Sequence, residues 1–203
     1  MFYRRLKRLA FFLWAVSLCL AGCAPQPLSA NTAHGVVYDN SQVLADFTLT
    51  SDRGPVHLSD WRGKAVVLSF GYTYCPDICP TILSQYKKAI GQLGAQASQV
   101  QFVFISVDPD RDTPARLNEY VSYFNPAITG ITGTRAEIDQ AVALFGAKYE
   151  IETPDPTTGQ YGVSHTAYIY ALDGKGQLRL AWPFDIEAAN MKADLQALLA
   201  EKP

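Results

Sequence analysis

The sequence predicts an α/β domain with a central mixed sheet flanked by helices and a β-hairpin on its N-terminal side. Two continuous apolar runs, AVVLSFGY at 65–72 and VQFVFISV at 100–107, are each followed by a segment of helical periodicity. Uninterrupted apolar runs of this length mark strands covered on both faces, and a strand–helix–strand order makes them parallel. Near the C-terminus HTAYIYAL and QLRLAWPF are joined by D-G-K-G, the pattern of an antiparallel hairpin. With 203 residues, 48% of them hydrophobic, the chain has room for one compact domain with a real core.

The N-terminus reads as an export signal. R-R-L-K-R at 4–8 is a basic start, and Leu9 to Ala21 is an apolar stretch shorter than the roughly 20 residues that span a bilayer. It ends in L-A-G-C at 20–23, small residues before a cysteine, as in a bacterial lipobox where Cys23 becomes the lipidated first residue. Residues 1–22 are therefore expected to be a lipoprotein-type signal peptide. Residues 23–42, polar with two prolines, are expected to be a flexible tether, and 43–203 the folded domain. The expected place is the periplasmic side of a bacterial membrane, held by the lipid. Removing Arg4, Arg5, Lys7 and Arg8 from the 17 basic residues leaves 13 against 19 acidic, a net charge of −6. No basic patch speaks for nucleic acid.

Within the domain, ADFTLT at 45–50 and Val56–Leu58 flank the turn S-D-R-G-P and make the hairpin. After the first apolar run, Ile82, Leu83, Tyr86, Ile90 and Leu93 recur at helical spacing, with Gly94 as a stop. After the second, Thr113 followed by Pro114 is an N-cap with proline at the first helical position, opening ARLNEYVSYF. Residues 135–149 form another amphipathic helix, 152–162 a turn-rich loop, and Glu187–Ala200 a last helix. A βαβ unit, a further helix and a terminal hairpin are the plan of a thioredoxin-like domain.

The chemistry concentrates in FGYTYCPDICP at 70–80. Cys19 lies in the signal and Cys23 is the lipidation site, so Cys75 and Cys79 are the domain's thiols. Cys75 falls just past a strand's C-terminal end and Cys79 in the first helical turn, with Asp77 placed to cap. Free amides and the helix dipole favour thiolates there, so both sulfurs are expected to be exposed and readily deprotonated. The pair suits a redox switch, or half of a site for a soft ion such as Cu(I) or Zn. A disulfide closing so short a loop adds little as a staple. Of the histidines, His34 lies in the tether and His57 in the hairpin, where a surface or structural place is expected. His165 directly precedes a strand, where a thioredoxin-like enzyme usually keeps a proline. With two thiolates it makes a three-coordinate pocket for Cu(I) that also accepts Cu(II).

FGYTYCPDICP, VDPDRDTP and VSHTA, in that order, resemble the Sco/SenC family of copper-binding proteins over the span from about Asp46 to the C-terminal helix. The resemblance implies one copper, Cu(I) or Cu(II), held by Cys75, Cys79 and His165. It implies a membrane-tethered metallochaperone that helps load the binuclear CuA centre of cytochrome c oxidase. Subunit II is then the copper acceptor, and another periplasmic copper chaperone the donor. A thiol–disulfide oxidoreductase, in which Cys75 and Cys79 reduce the acceptor's cysteines, is the alternative. On the chaperone reading the protein is not an enzyme. Asp108, Arg111 and Asp112 are candidates for supporting or partner-contact roles, and Tyr72 and Tyr74 are expected to pack beside the site.

Overall fold

The computed structural model describes residues 28–38 and 42–201. The expected signal peptide over residues 1–22 and the lipidation site Cys23 lie outside the described residues.

The two apolar runs form adjacent parallel strands. They are β4 (Ala65–Gly71) and β5 (Val100–Ser106), with Val66 opposite Gln101 and Phe70 opposite Ile105. All seven residues of β4 are buried, which requires cover on both faces. The crossover between them is α1 (Ile78–Leu93), whose Ile82, Leu83 and Tyr86 are buried at the spacing the sequence predicted. β9 (Tyr168–Leu172) and β10 (Leu178–Pro183) are the expected terminal hairpin, and β9 joins β4 antiparallel. The ends of β4 and β5 that follow the chain direction therefore share one edge of the sheet with the start of β9.

β1 (Val36–Val37) and β6 (Ile128–Ile131) complete a six-stranded mixed sheet of order β1-β10-β9-β4-β5-β6. β2 (Thr48–Ser51) and β3 (Gly54–His57) form the expected N-terminal hairpin. α2 (Pro114–Phe124) begins as predicted: the Thr113 hydroxyl accepts from the Arg116 amide at 3.3 Å. α3 (Arg135–Leu144) opens with a reciprocal Thr134–Glu137 cap. It stops short of the predicted Tyr149 because the chain turns at Gly146, where φ is +62°. α4 (Ala188–Ala200) packs against α1. β7 (Tyr149–Ile151) and β8 (Val163–His165) pair antiparallel and enclose the loop 152–162. This is a thioredoxin-like fold.

Two elements depart from the sequence reading. β6 is short and carries Gly130, so its sequence shows no strand pattern; it is extended because β5 offers an open edge and α2 packs on it. The segment expected to be a tether is partly built into the domain. Val36 and Val37 pair with Ala181 and Leu180, and the Leu28 amide donates to Glu201 at 3.0 Å. His34, expected to be solvated, donates its amide and turns Nδ1 to Asp194 at 2.9 and 2.8 Å. Asp194, only 2% exposed, also accepts from the Trp182 indole at 2.8 Å. A polar segment whose partner lies 160 positions away has no local sign of order. Among the described residues no helix is long and apolar enough to cross a membrane.

Removing the Asp194 carboxylate strands the Trp182 N–H and the His34 amide. Asp194→Ala is expected to lower stability by about 2–3 kcal/mol in urea unfolding. A loss below about 0.5 kcal/mol, the range of an ordinary surface change, would show that the buried carboxylate does not fasten the N-terminal segment.

Candidate metal centre

The site sits where β4 ends. Gly71 closes that strand, and a Cβ there would meet the Cys79 sulfur and the Phe104 ring, both at 2.6 Å. The missing side chain is what lets the Cys79 sulfur lie against the strand end. The chain then turns, with the Cys75 amide donating to the Tyr72 carbonyl at 3.3 Å, and enters α1 at Ile78. Asp77 stands at the N-cap position, but its side chain makes no capping hydrogen bond. The Cys75 sulfur fills that role instead, accepting the Cys79 amide at 3.4 Å. An unpaired first-turn amide is thus satisfied by a thiolate.

His165 arrives at the end of β8, three residues after the turn-rich loop. Its Nδ1 lies 3.2 Å from the Thr166 carbonyl, which can only accept, so Nδ1 carries the proton. Nε2 is left with a free lone pair, 3.6 Å from the Cys79 sulfur. Tyr72 stands edge-on to the imidazole at 6.1 Å and limits its tilt. The two sulfurs and the ring nitrogen lie within 4.8 Å of one another. Among the described residues no fourth His, Cys, Asp or Glu joins them. Structural zinc usually takes four ligands, whereas two soft thiolates and one imidazole suit three-coordinate Cu(I).

The two thiols are not equivalent. The hydrogen bond from Cys79 draws Cys75 down to about 3, against the opposing effect of burial. The amides of Cys79 and Asp77 add to the lowering. Cys79 is pushed strongly up, first by holding the proton shared with Cys75 and second by burial. The expectation of two exposed, readily deprotonated sulfurs is corrected here: Cys79 is fully buried under the strand end and keeps its proton, while half-buried Cys75 is the thiolate.

The acidic loop after β5 braces this end of the sheet. Asp112 is fully buried and accepts from the Thr73 amide at 2.8 Å, the Thr73 hydroxyl and the Ser106 hydroxyl at 2.6 Å. It joins the loop after β4 to the end of β5, and Thr113 rather than Asp112 caps α2. Asp108, also fully buried, binds the Arg111 Nε and accepts from the Tyr161 hydroxyl at 2.9 Å. The Arg111 guanidinium lies 3.5 Å from the Tyr161 ring centre, 4.8 Å from that of Tyr74 and 5.6 Å from that of Tyr72.

The structure thus brings Cys75, Cys79 and His165 together and leaves His34 and His57 elsewhere. His57 is exposed and shares a hydrogen bond with Thr48 at 2.8 Å. Sequence reasoning passed over Gly71 and Tyr161. The glycine before Tyr72 was a visible sign of close approach; Tyr161 had none, since its partner Asp108 lies 53 positions earlier.

The SCO1/SenC family profile matches residues 37–200. The chain is 38% identical to the apo Sco1 protein of Thermus thermophilus, with a TM-score of 0.75 over 83% of this chain and 98% of that one. It is similar to copper-bound ScoI of Bradyrhizobium japonicum at 34% identity, with a TM-score of 0.71 over 78% of this chain and all of that one. A SCO2-like protein of Rickettsia conorii shares 34% identity over 140 residues, 68% of each chain.

The asymmetry of the thiols has a direct readout. Alkylation of the metal-free, reduced protein at pH 5 is expected to label Cys75 and spare Cys79, read by peptide mass mapping. Equal labelling, or preference for Cys79, would contradict the assignment. Gly71→Ala is expected to push the Cys79 sulfur off the strand end, so that in mildly alkaline buffer it is alkylated faster than in the unmodified protein.

Proposed function

This chain belongs to the SCO1/SenC family, and on that premise we propose that it is a membrane-tethered copper metallochaperone. It binds one copper through Cys75, Cys79 and His165 and passes it to the CuA centre of cytochrome c oxidase subunit II. The observation that carries this reading is the three-ligand cluster, with a lone pair on His165 Nε2 facing two sulfurs and, among the described residues, no fourth His, Cys, Asp or Glu beside them. Copper binding in relatives such as the Bradyrhizobium ScoI supports the choice of ion.

Copper is the cargo here, and the work of the protein is to hold and release it. Cys75 offers a thiolate at the mouth, ready to take the ion. Cys79 gives up its proton as the ion settles, so loading releases a proton. The imidazole, fixed by the Thr166 carbonyl, closes the site. Unloading runs the other way: acceptor thiolates displace one donor at a time, and the returning proton on Cys79 favours release. The lipidated Cys23 and the periplasmic location complete the proposal, placing the domain beside an exposed acceptor, with another copper chaperone as donor.

The close pair also favours a second reading as a thiol–disulfide oxidoreductase. The Cys75 thiolate attacks an acceptor disulfide, forming a mixed disulfide and releasing one acceptor thiolate. Cys79 then loses its proton and attacks Cys75, freeing the second acceptor thiolate and leaving this chain oxidised. That route has no use for the lone pair on His165.

An anaerobic Cu(I) titration against a chromophoric chelator separates the two. The chaperone reading expects tight 1:1 binding that weakens strongly in Cys75→Ser, Cys79→Ser and His165→Ala alike. Because Cys79 is raised, copper competes with its proton: affinity is expected to rise about tenfold per pH unit through neutrality, one proton per ion. Weak copper binding, with disulfide exchange that His165→Ala leaves intact, would favour the oxidoreductase.

A further inference from the structure

We propose that Asp108, Arg111 and Tyr161 form a clasp that positions His165, and that this clasp sets how firmly the imidazole serves the site. The inference rests on the reading of His165 as a copper ligand.

His165 is delivered by a weakly supported piece of chain. β7 and β8 are three residues each and pair only with each other, and a lone two-stranded ribbon is marginal in water. Residues 152–160 between them are all exposed. Several of this loop's hydrogen bonds are internal: Asp155 to Thr157, Thr158 and Gln160, and Glu152 to Gly162. On the β7 side the ribbon is held by Tyr149, which donates to Asp139 at 2.6 Å, and by the Thr166 amide on the Lys148 carbonyl at 2.9 Å. On the β8 side Val163 is buried in the core, and the exposed loop that leads to it needs an anchor of its own.

Tyr161 supplies it. Its hydroxyl donates to Asp108 Oδ1 at 2.9 Å, and its carbonyl accepts from Arg111 Nη1 at 2.9 Å. Arg111 closes the ring by donating Nε to Asp108 Oδ2 while its plane covers the Tyr161 ring. Asp108 is immobile: it is fully buried two residues beyond β5, and its amide is held by Ser106 at 3.1 Å. Burial and the Asp108 hydrogen bond push the Tyr161 phenol up to about 12, so it remains a donor throughout the physiological range.

The same guanidinium also covers Tyr72 and Tyr74, on the segment between β4 and Cys75. Its second terminal nitrogen is buried without a hydrogen-bond partner. Such a cost is tolerable where aromatic faces replace water, as they do around this cation. Arg111 thus touches both ligand-bearing segments at once, and Tyr72 is the ring that stands edge-on to His165. The three are positioning residues: none of them reaches the metal donors.

Arg111→Ala, Arg111→Lys and Tyr161→Phe test this beside His165→Ala. In the Cu(II)-loaded protein, Arg111→Ala is expected to lose most of the imidazole nitrogen coupling in its electron paramagnetic resonance spectrum. The thiolate-to-copper charge-transfer bands should persist. Its Cu(I) affinity should fall by about 10- to 100-fold, the range for residues that orient ligands. Arg111→Lys is not expected to restore either, because an ammonium cannot bond Asp108 and the Tyr161 carbonyl as a fork does. Tyr161→Phe, which deletes one hydroxyl and preserves packing, should move both readouts in the same direction by less. In the metal-free protein, amides of residues 161–165 should exchange faster in Arg111→Ala while those of β4 and β5 stay unchanged. Unaltered nitrogen coupling, affinity and exchange in Arg111→Ala and Tyr161→Phe would overturn the clasp. If the unmodified protein fails to bind copper, or His165→Ala binds it as tightly, the copper reading fails instead, and the exchange experiment alone decides whether the clasp holds the loop.

Discussion

The burial of β4 on both faces governs the rest of the molecule. A strand with no exposed residue must be walled in by helices and by neighbours on either edge. It can carry polar chemistry only where it ends. β5 beside it ends at the same edge, and β9 starts there from the opposite direction. Three chain segments that leave or enter the sheet at one place are therefore forced together, and they carry Cys75, Asp108 and His165. Gly71 refines that constraint to the scale of one atom. Because the last residue of β4 has no side chain, the Cys79 sulfur occupies the space a Cβ would take.

That geometry divides the labour between the donors. Cys79, pressed against the strand, keeps its proton, and in doing so hydrogen-bonds Cys75 and holds it as a thiolate. The proton is stored within the site, on the Cys79 sulfur. The imidazole contributes a fixed lone pair, because the Thr166 carbonyl commits Nδ1 to donating. A site of this kind is preorganised in tautomer and proton inventory yet open on the Cys75 side. This is the combination a protein needs if it must accept a soft ion and also give it up.

Much of this was legible in the sequence, for physical reasons that differ from element to element. The runs at 65–72 and 100–107 announce strands covered on both faces because burial on both faces leaves no polar position. Thr113 and Pro114 announce a helix start because capping chemistry is local. The cysteine pair and His165 could be matched to one another because few residue types bind soft ions. What was hidden depends on distance along the chain. β6 is a strand by virtue of its neighbours. Residues 28–38 look like a tether until Asp194 and β10 are placed beside them. The exposure of Cys79 was misjudged because helix position says nothing of what covers a first turn; the cover is the end of β4. Tyr161 lies in a turn-rich loop with no periodicity, and only the fold brings it to Asp108.

The central claim is that this domain holds copper with two sulfurs and one imidazole nitrogen. X-ray absorption at the copper edge, on the Cu(I)-loaded protein, tests it most directly. The account predicts a three-coordinate ion with two sulfur scatterers and one nitrogen carrying the outer-shell pattern of a histidine ring, lost in His165→Ala. Sulfur-only coordination, or a spectrum that His165→Ala leaves unchanged, would contradict it.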